Sequence, residues 1–164
     1  MKTSCVSIAF ILCASVSLKA QDEQPLGLQI RQALEAKEPT WKYVDGIESG
    51  RVPIVPSERT ALVGQWQHKQ KDGRQENIAI SIYQVESRAE AIKWLMPTGN
   101  GQVAPGWRVD RYKIGEEAYL ATFQASKRFE IHFRNGNVVG RISGDNLTTV
   151  ERFAKYVISQ IRAT

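Results

Sequence analysis

The dipeptide Asn135-Gly136 constrains this chain more than any other feature, because it sits between two runs of alternating apolar residues. Asn-Gly between such runs is the strongest short-range signal for a tight β-hairpin. On one side, Phe129, Ile131 and Phe133 alternate with Glu130, His132 and Arg134; on the other, Val138, Gly140 and Ile142 continue the pattern. A two-residue Asn135-Gly136 turn places Arg134 opposite Asn137, His132 opposite Val139 and Glu130 opposite Arg141, an opposite-charge pair on the outer face. Phe133 then meets Val138, Ile131 meets Gly140 and Phe129 meets Ile142 on the core face. On this reading His132 is a solvated residue on the outer side of the hairpin.

The surrounding pattern extends the hairpin into a domain. Thr60–Lys69 alternates as a strand and ends at His68, on the rim of the core. Lys71-Asp72-Gly73-Arg74 turns the chain, and residues 76–85 return with Ile78, Ile80 and Ile82 on one face. Ser87 and Glu90 form a capping box that opens a helix running to about Met96, with Ala89, Ile92 and Met96 on one face. A weaker strand spans residues 108–112 and a clearer one residues 117–123. Thr148 and Glu151 form a second box. Behind them Val150, Phe153, Ala154, Val157, Ile158 and Ile161 mark one helical stripe. Upstream, Leu26, Ile30, Ala33 and Leu34 mark a helix over residues 24–37 that Pro39 stops. Residues 39–60 form a Pro- and Gly-containing connector pinned by Trp41, Tyr43 and Val44. The fold class is α+β: an antiparallel sheet of about five to six strands with amphipathic helices packed on one face. The domain proper spans residues 61–164, and residues 21–60 supply the N-terminal helix and connector.

The first twenty residues have the secretory pattern of one early charge (Lys2), an uncharged apolar middle and Ala20 as a small exit residue. Residues 1–20 therefore read as a signal peptide and the protein as secreted or periplasmic. Cleavage after Ala20 leaves 144 of the 164 residues, removes Lys2 and Lys19, and lowers the net charge from +5 to +3. It also removes Cys5 and Cys13, the two cysteines of the chain. The exported domain then has no disulfide, thiol nucleophile or thiolate ligand, and no integral membrane segment.

The motifs of nucleotide-binding, zinc-protease and serine-hydrolase sites are missing, and no cofactor or metal is implied. His68 and His132 are the sole imidazoles and lie in different hairpins. Glu116 and Glu117 point to opposite faces if a strand has begun. Arg108-Val109-Asp110-Arg111 shows how acids and bases intermingle, which argues against a nucleic-acid partner. Trp94, Trp107, Arg108, Arg111 and Tyr112 gather around the charge-free stretch 97–107. Aromatics beside arginines there form a candidate binding surface for a small ligand or an envelope protein. Two further readings stand beside it: a small hydrolase using carboxylates with His68 or His132, and an accessory or assembly subunit.

From Ile114 onward the chain reads IGEEAY, then FEIHFRNGNVVGRISG, then VERFAKYVISQI. This resembles bacterial exported proteins of unknown function in which a GDEAY-like strand precedes an FRKGNVVV-like hairpin and a closing helix. In organisation it is similar to the Mog1/PsbP-like α+β fold and to the extracellular sensor domains of mycobacterial receptor kinases. The resemblance covers about the last fifty residues and implies fold and export; it carries no catalytic residue. Gly140 and Arg141 stand where that pattern has hydrophobic strand residues.

Overall fold

A computed structural model of the 164-residue chain describes residues 25–45, 60–95 and 105–161. The proposed leader, its cleavage site, most of the connector and most of the charge-free stretch 97–107 lie outside the described residues. The described elements are α1 (Leu26–Lys37), β1 (Lys42–Asp45), β2 (Thr60–Lys69), β3 (Gln75–Gln84), α2 (Arg88–Leu95), β4 (Trp107–Tyr112), β5 (Glu117–Phe123), β6 (Arg128–Asn135), β7 (Val138–Gly144) and α3 (Leu147–Ile161). The strands form one antiparallel sheet in the order β1-β2-β3-β7-β6-β5-β4. The expected α+β class holds. The sheet has seven strands rather than five or six, because residues 42–45 and 107–112 both pair as edge strands.

Strand alternation divides the side chains between two faces. On the first face Leu62, Trp66, Ile78, Ile80, Ile82, Ile131, Phe133 and Ile142 meet Ile30 and Leu34 of α1 and Val150, Phe153 and Val157 of α3 in one buried core. The α3 stripe read from sequence is fully buried. Gly27 lets α1 approach this closely: a Cβ there would lie 1.8 Å from the Ala61 carbonyl oxygen.

The helices do not all share that face. Ala91 of α2 is buried with Tyr83, Val85 and Val139, and Trp94 packs against the same cluster. Tyr83 and Val139 belong to the alternate positions of β3 and β7, so α2 covers the second face. The stripe assigned to α2 also shifts. Ala91 and Leu95 are buried, whereas Ile92 is 50% exposed; the helix turns toward Tyr83 and Val139 rather than toward the main core.

Two local expectations change for identifiable reasons. The hairpin turns on Gly136-Asn137, so Asn135 faces Val138, His132 faces Arg141 and Glu130 faces Ser143. Gly136 takes a φ of 61° and Asn137 does not take a positive φ, the pattern of a type II′ turn with glycine first. Asn137 is held by the end of β3: its Nδ2 donates to the Val85 carbonyl at 2.8 Å, and Val85 N–H donates to the Asn137 carbonyl at 2.9 Å. The face assignments survive because the register moves by two residues, but the expected Glu130–Arg141 pair does not form. The second capping box also fails. Asn146 caps α3, with its Oδ1 accepting from Thr149 N–H at 3.3 Å, while Glu151 accepts from the Tyr112 hydroxyl. The first box forms: Ser87 Oγ accepts from Glu90 N–H at 3.1 Å, and the Glu90 carboxylate accepts from Glu86 N–H at 3.1 Å.

Candidate functional site

The apolar residues of β6 decide where its polar ones go. Once Phe129, Ile131 and Phe133 face the core, Arg128, Glu130, His132 and Arg134 must face the second side of the sheet. Solvation was the expectation for that side, and it is wrong. Glu130 is 7% exposed, His132 9% and Arg134 4%, and Ser81 and Ser143 are buried with them. Burial of ionisable groups requires pairing, and this face supplies it.

Two clusters result. In the first, Glu130 Oε2 lies 3.1 Å from His132 Nε2, Arg128 Nε donates to Glu130 Oε1 at 3.2 Å, and an Arg128 terminal nitrogen donates to Ser143 Oγ at 3.4 Å. Burial alone would raise the Glu130 pKa. The hydrogen bond from His132 and the charges of Arg141, His132 and Arg128 outweigh it and hold the carboxyl below its ordinary value. In the second cluster, Arg134 binds Glu116 Oε2 at 2.5 Å and Glu117 Oε2 at 3.5 Å. Arg88 of α2 adds a contact to Glu116 at 3.3 Å, and the Tyr119 hydroxyl donates to Glu117 at 3.1 Å. Glu116 and Glu117 therefore converge on one guanidinium instead of diverging, because Glu116 precedes the first residue of β5 and escapes strand alternation.

Register places these groups in rows across the sheet. One row runs Ser81, Arg141, His132, Tyr119, Arg111 through β3, β7, β6, β5 and β4. The next runs Ala79, Ser143, Glu130, Ala121, Val109. Across these two rows and the neighbouring Arg128, three arginines stand against one carboxylate.

The residues singled out from sequence do not form one patch. Arg111 and Trp107 lie on the second face, with the Trp107 ring tilted against Phe123 at a centroid distance of 5.3 Å. Arg108 and Tyr112 alternate to the first face, where Arg108 pairs with Asp110 at 2.8 Å and Tyr112 packs against the core. Burial and the Glu151 bond push the Tyr112 hydroxyl pKa up to about 12. Trp94 belongs to the α2 cluster over β3 and β7. His68 stacks on Trp41 at 5.3 Å, its Nδ1 lies 3.1 Å from the Thr40 carbonyl, and it is far from His132 in sheet order. The polar face itself was missed as a unit. Its sequence signal was the alternation of charged residues along residues 128–134, and Arg141 at a strand position where apolar residues are usual.

Among the described residues, no three His, Cys, Asp or Glu side chains are placed to hold a metal ion. Also among them, no helix is long and apolar enough to cross a membrane. No protein-family model, curated protein or solved structure matches the chain.

Proposed function

We propose that the protein is an exported, non-catalytic binding domain whose small ligand lies on the second face of the sheet. The observation that carries this reading is the buried polar face itself. Arginines, a carboxylate, an imidazole and hydroxyls along the centre of a sheet are a costly investment, since polar groups that become buried must be desolvated on folding. A ligand surface gives that investment a purpose. Ala79, Ser143 and Ala121 supply small side chains on the row beside the arginine and histidine, and Trp94 of α2 packs on the adjoining Tyr83 cluster. The leader pattern of residues 1–20 and the resemblance of the last fifty residues to exported bacterial proteins support the location.

A second reading, a small exported hydrolase, has one observation in its favour: the Glu130–His132 pair has the form of a carboxylate-oriented base. Against it, Ser143 Oγ is bonded to Arg128 rather than to His132, and among the described residues no hydroxyl is bonded to His132. The imidazole has a partner and no nucleophile.

Native mass spectrometry of the exported protein, purified without denaturation, tests the binding reading. A small-molecule adduct that denaturation releases is the expected result. A bare mass, together with no saturable binding of small molecules in solution, overturns it. Hydrolysis of ester or amide probes that Ser143→Ala abolishes would instead support the enzyme reading. N-terminal sequencing of the exported chain tests the location, and an intact Met1 in a cytosolic fraction would refute it.

A further inference from the structure

Arg141 is the least explained charge in the molecule. It sits at the middle of β7, between β3 and β6, with Ser81 opposite on one side and His132 on the other. Its side chain is half-buried. Among the described residues, its guanidinium makes no hydrogen bond or ion pair. The carboxylate whose field it shares, Glu130, is already bonded to Arg128 and His132. Five donors on a planar cation are thus left facing the sheet surface.

A second orphan stands beside it. Tyr83 lies diagonally across from Arg141, since Tyr83 faces Val139 and Ser81 faces Arg141. It is 6% exposed, and its hydroxyl completes no hydrogen bond of ordinary geometry among the described residues. Burial raises its pKa, opposed by the Ser81 hydroxyl and the Arg141 charge. Its one side-chain partner is the Ser81 hydroxyl, in a contact that falls short of ordinary hydrogen-bond geometry, so the phenol still lacks a good acceptor. Leaving such a group buried is costly, so both orphans are explained at once by a single acceptor between them.

On the side of Arg141 away from Tyr83, the next row pairs the small side chains of Ala79 and Ser143. The local charge balance is positive: Arg111 and Arg141 on these rows, with Arg128 beside them, stand against Glu130.

We propose that Arg141 anchors a site for a small anion, the carboxylate or phosphate group of a small molecule, with the Tyr83 and Ser81 hydroxyls as neutral partners. Arg128 and His132 border it from β6. A planar guanidinium binds such groups through paired hydrogen bonds. The inference rests on the binding reading above and adds the chemical class of the ligand.

Calorimetric titration of the exported protein at low ionic strength tests it with three probes: inorganic phosphate, succinate and, as a neutral control, glucose. Saturable 1:1 binding of phosphate or succinate, with glucose inert, is expected, and the arm that binds names the source of the charge. Arg141→Gln should weaken that binding about tenfold or more, the effect of losing one charged hydrogen-bonding group. Arg141→Lys should fall between. Tyr83→Phe should weaken binding several-fold while leaving the melting temperature of the unliganded protein unchanged or higher, because it deletes a buried hydroxyl whose one contact, with Ser81, is outside ordinary hydrogen-bond geometry. This last variant keeps the test decisive if Arg141→Gln fails to fold. The proposal is overturned if neither anion binds, or if Arg141→Gln and Tyr83→Phe bind as tightly as the parent. If both anions fail while a neutral adduct survives in native mass spectrometry, the anion class falls and the binding reading stands; if no adduct survives either, both fall.

Discussion

Glu130 shows at the scale of one residue how a buried charge is kept. Its carboxylate accepts from His132 and Arg128, and its pKa is held below the ordinary value despite burial. A carboxyl whose folded pKa is depressed stabilises the fold above its unfolded pKa of about 4.3, and that stabilisation is lost as pH falls through the lower folded value. Glu130→Gln should therefore cost about 1.5–3 kcal/mol at pH 7. The difference from the parent should shrink as pH is lowered from 5 toward 3. Urea unfolding midpoints across that range measure it, and a pH-independent difference would show that the charge of Glu130 is not what stabilises the fold. His132 was legible as an imidazole on the outer side of a hairpin. Its burial was not, because nothing local states what lies over a strand.

Elements were read best where one signal dominated. The α3 stripe repeats over twelve residues, Val150 to Ile161, and every residue in it is buried. The start of that helix was misread because two side chains compete for it. Thr148 and Glu151 have capping-box spacing, but Asn146 occupies the position from which a side-chain oxygen reaches the free amide of Thr149. Asn146→Ala should destabilise by about 1 kcal/mol, the usual worth of a cap, whereas Thr148→Ala should change stability by only a few tenths. Thermal melts of the two variants separate them, and equal losses would restore the Thr148 box. The α2 stripe failed for a different reason. Eight residues with two candidate faces carry little periodic information, and the orientation is set by Tyr83, Val85 and Val139 on strands distant in sequence.

Across the whole molecule, the sheet order places the two long hairpins side by side at its centre and the shortest strands at its edges. β3 and β7 run antiparallel through seven paired positions and join the β2–β3 hairpin to the β6–β7 hairpin. β1 has four residues and β4 six, each with one strand neighbour. Amides of β3, β6 and β7 should therefore exchange slowest, near the global unfolding limit, while β4 and β1 open first. Hydrogen exchange followed by mass spectrometry checks this ranking. Fast exchange in β7 relative to β4 would contradict the central position of the β3–β7 pair.

The chain alone determined the strands and helices with strong periods, the antiparallel hairpins, the apolar side of the long strands and of α1 and α3, and the α+β class, because each depends on residues close in sequence. Tertiary structure alone decided three further matters. It paired β3 with β7, it sent α2 to the opposite face from α1 and α3, and it turned a presumed solvent side into a row in which Ser81 and His132 are buried and Arg141 and Tyr119 half-buried. These depend on contacts between residues tens of positions apart. Alternation says that two side chains lie on opposite faces of a strand; it is silent on which strand comes to lie beside them and on what covers either face.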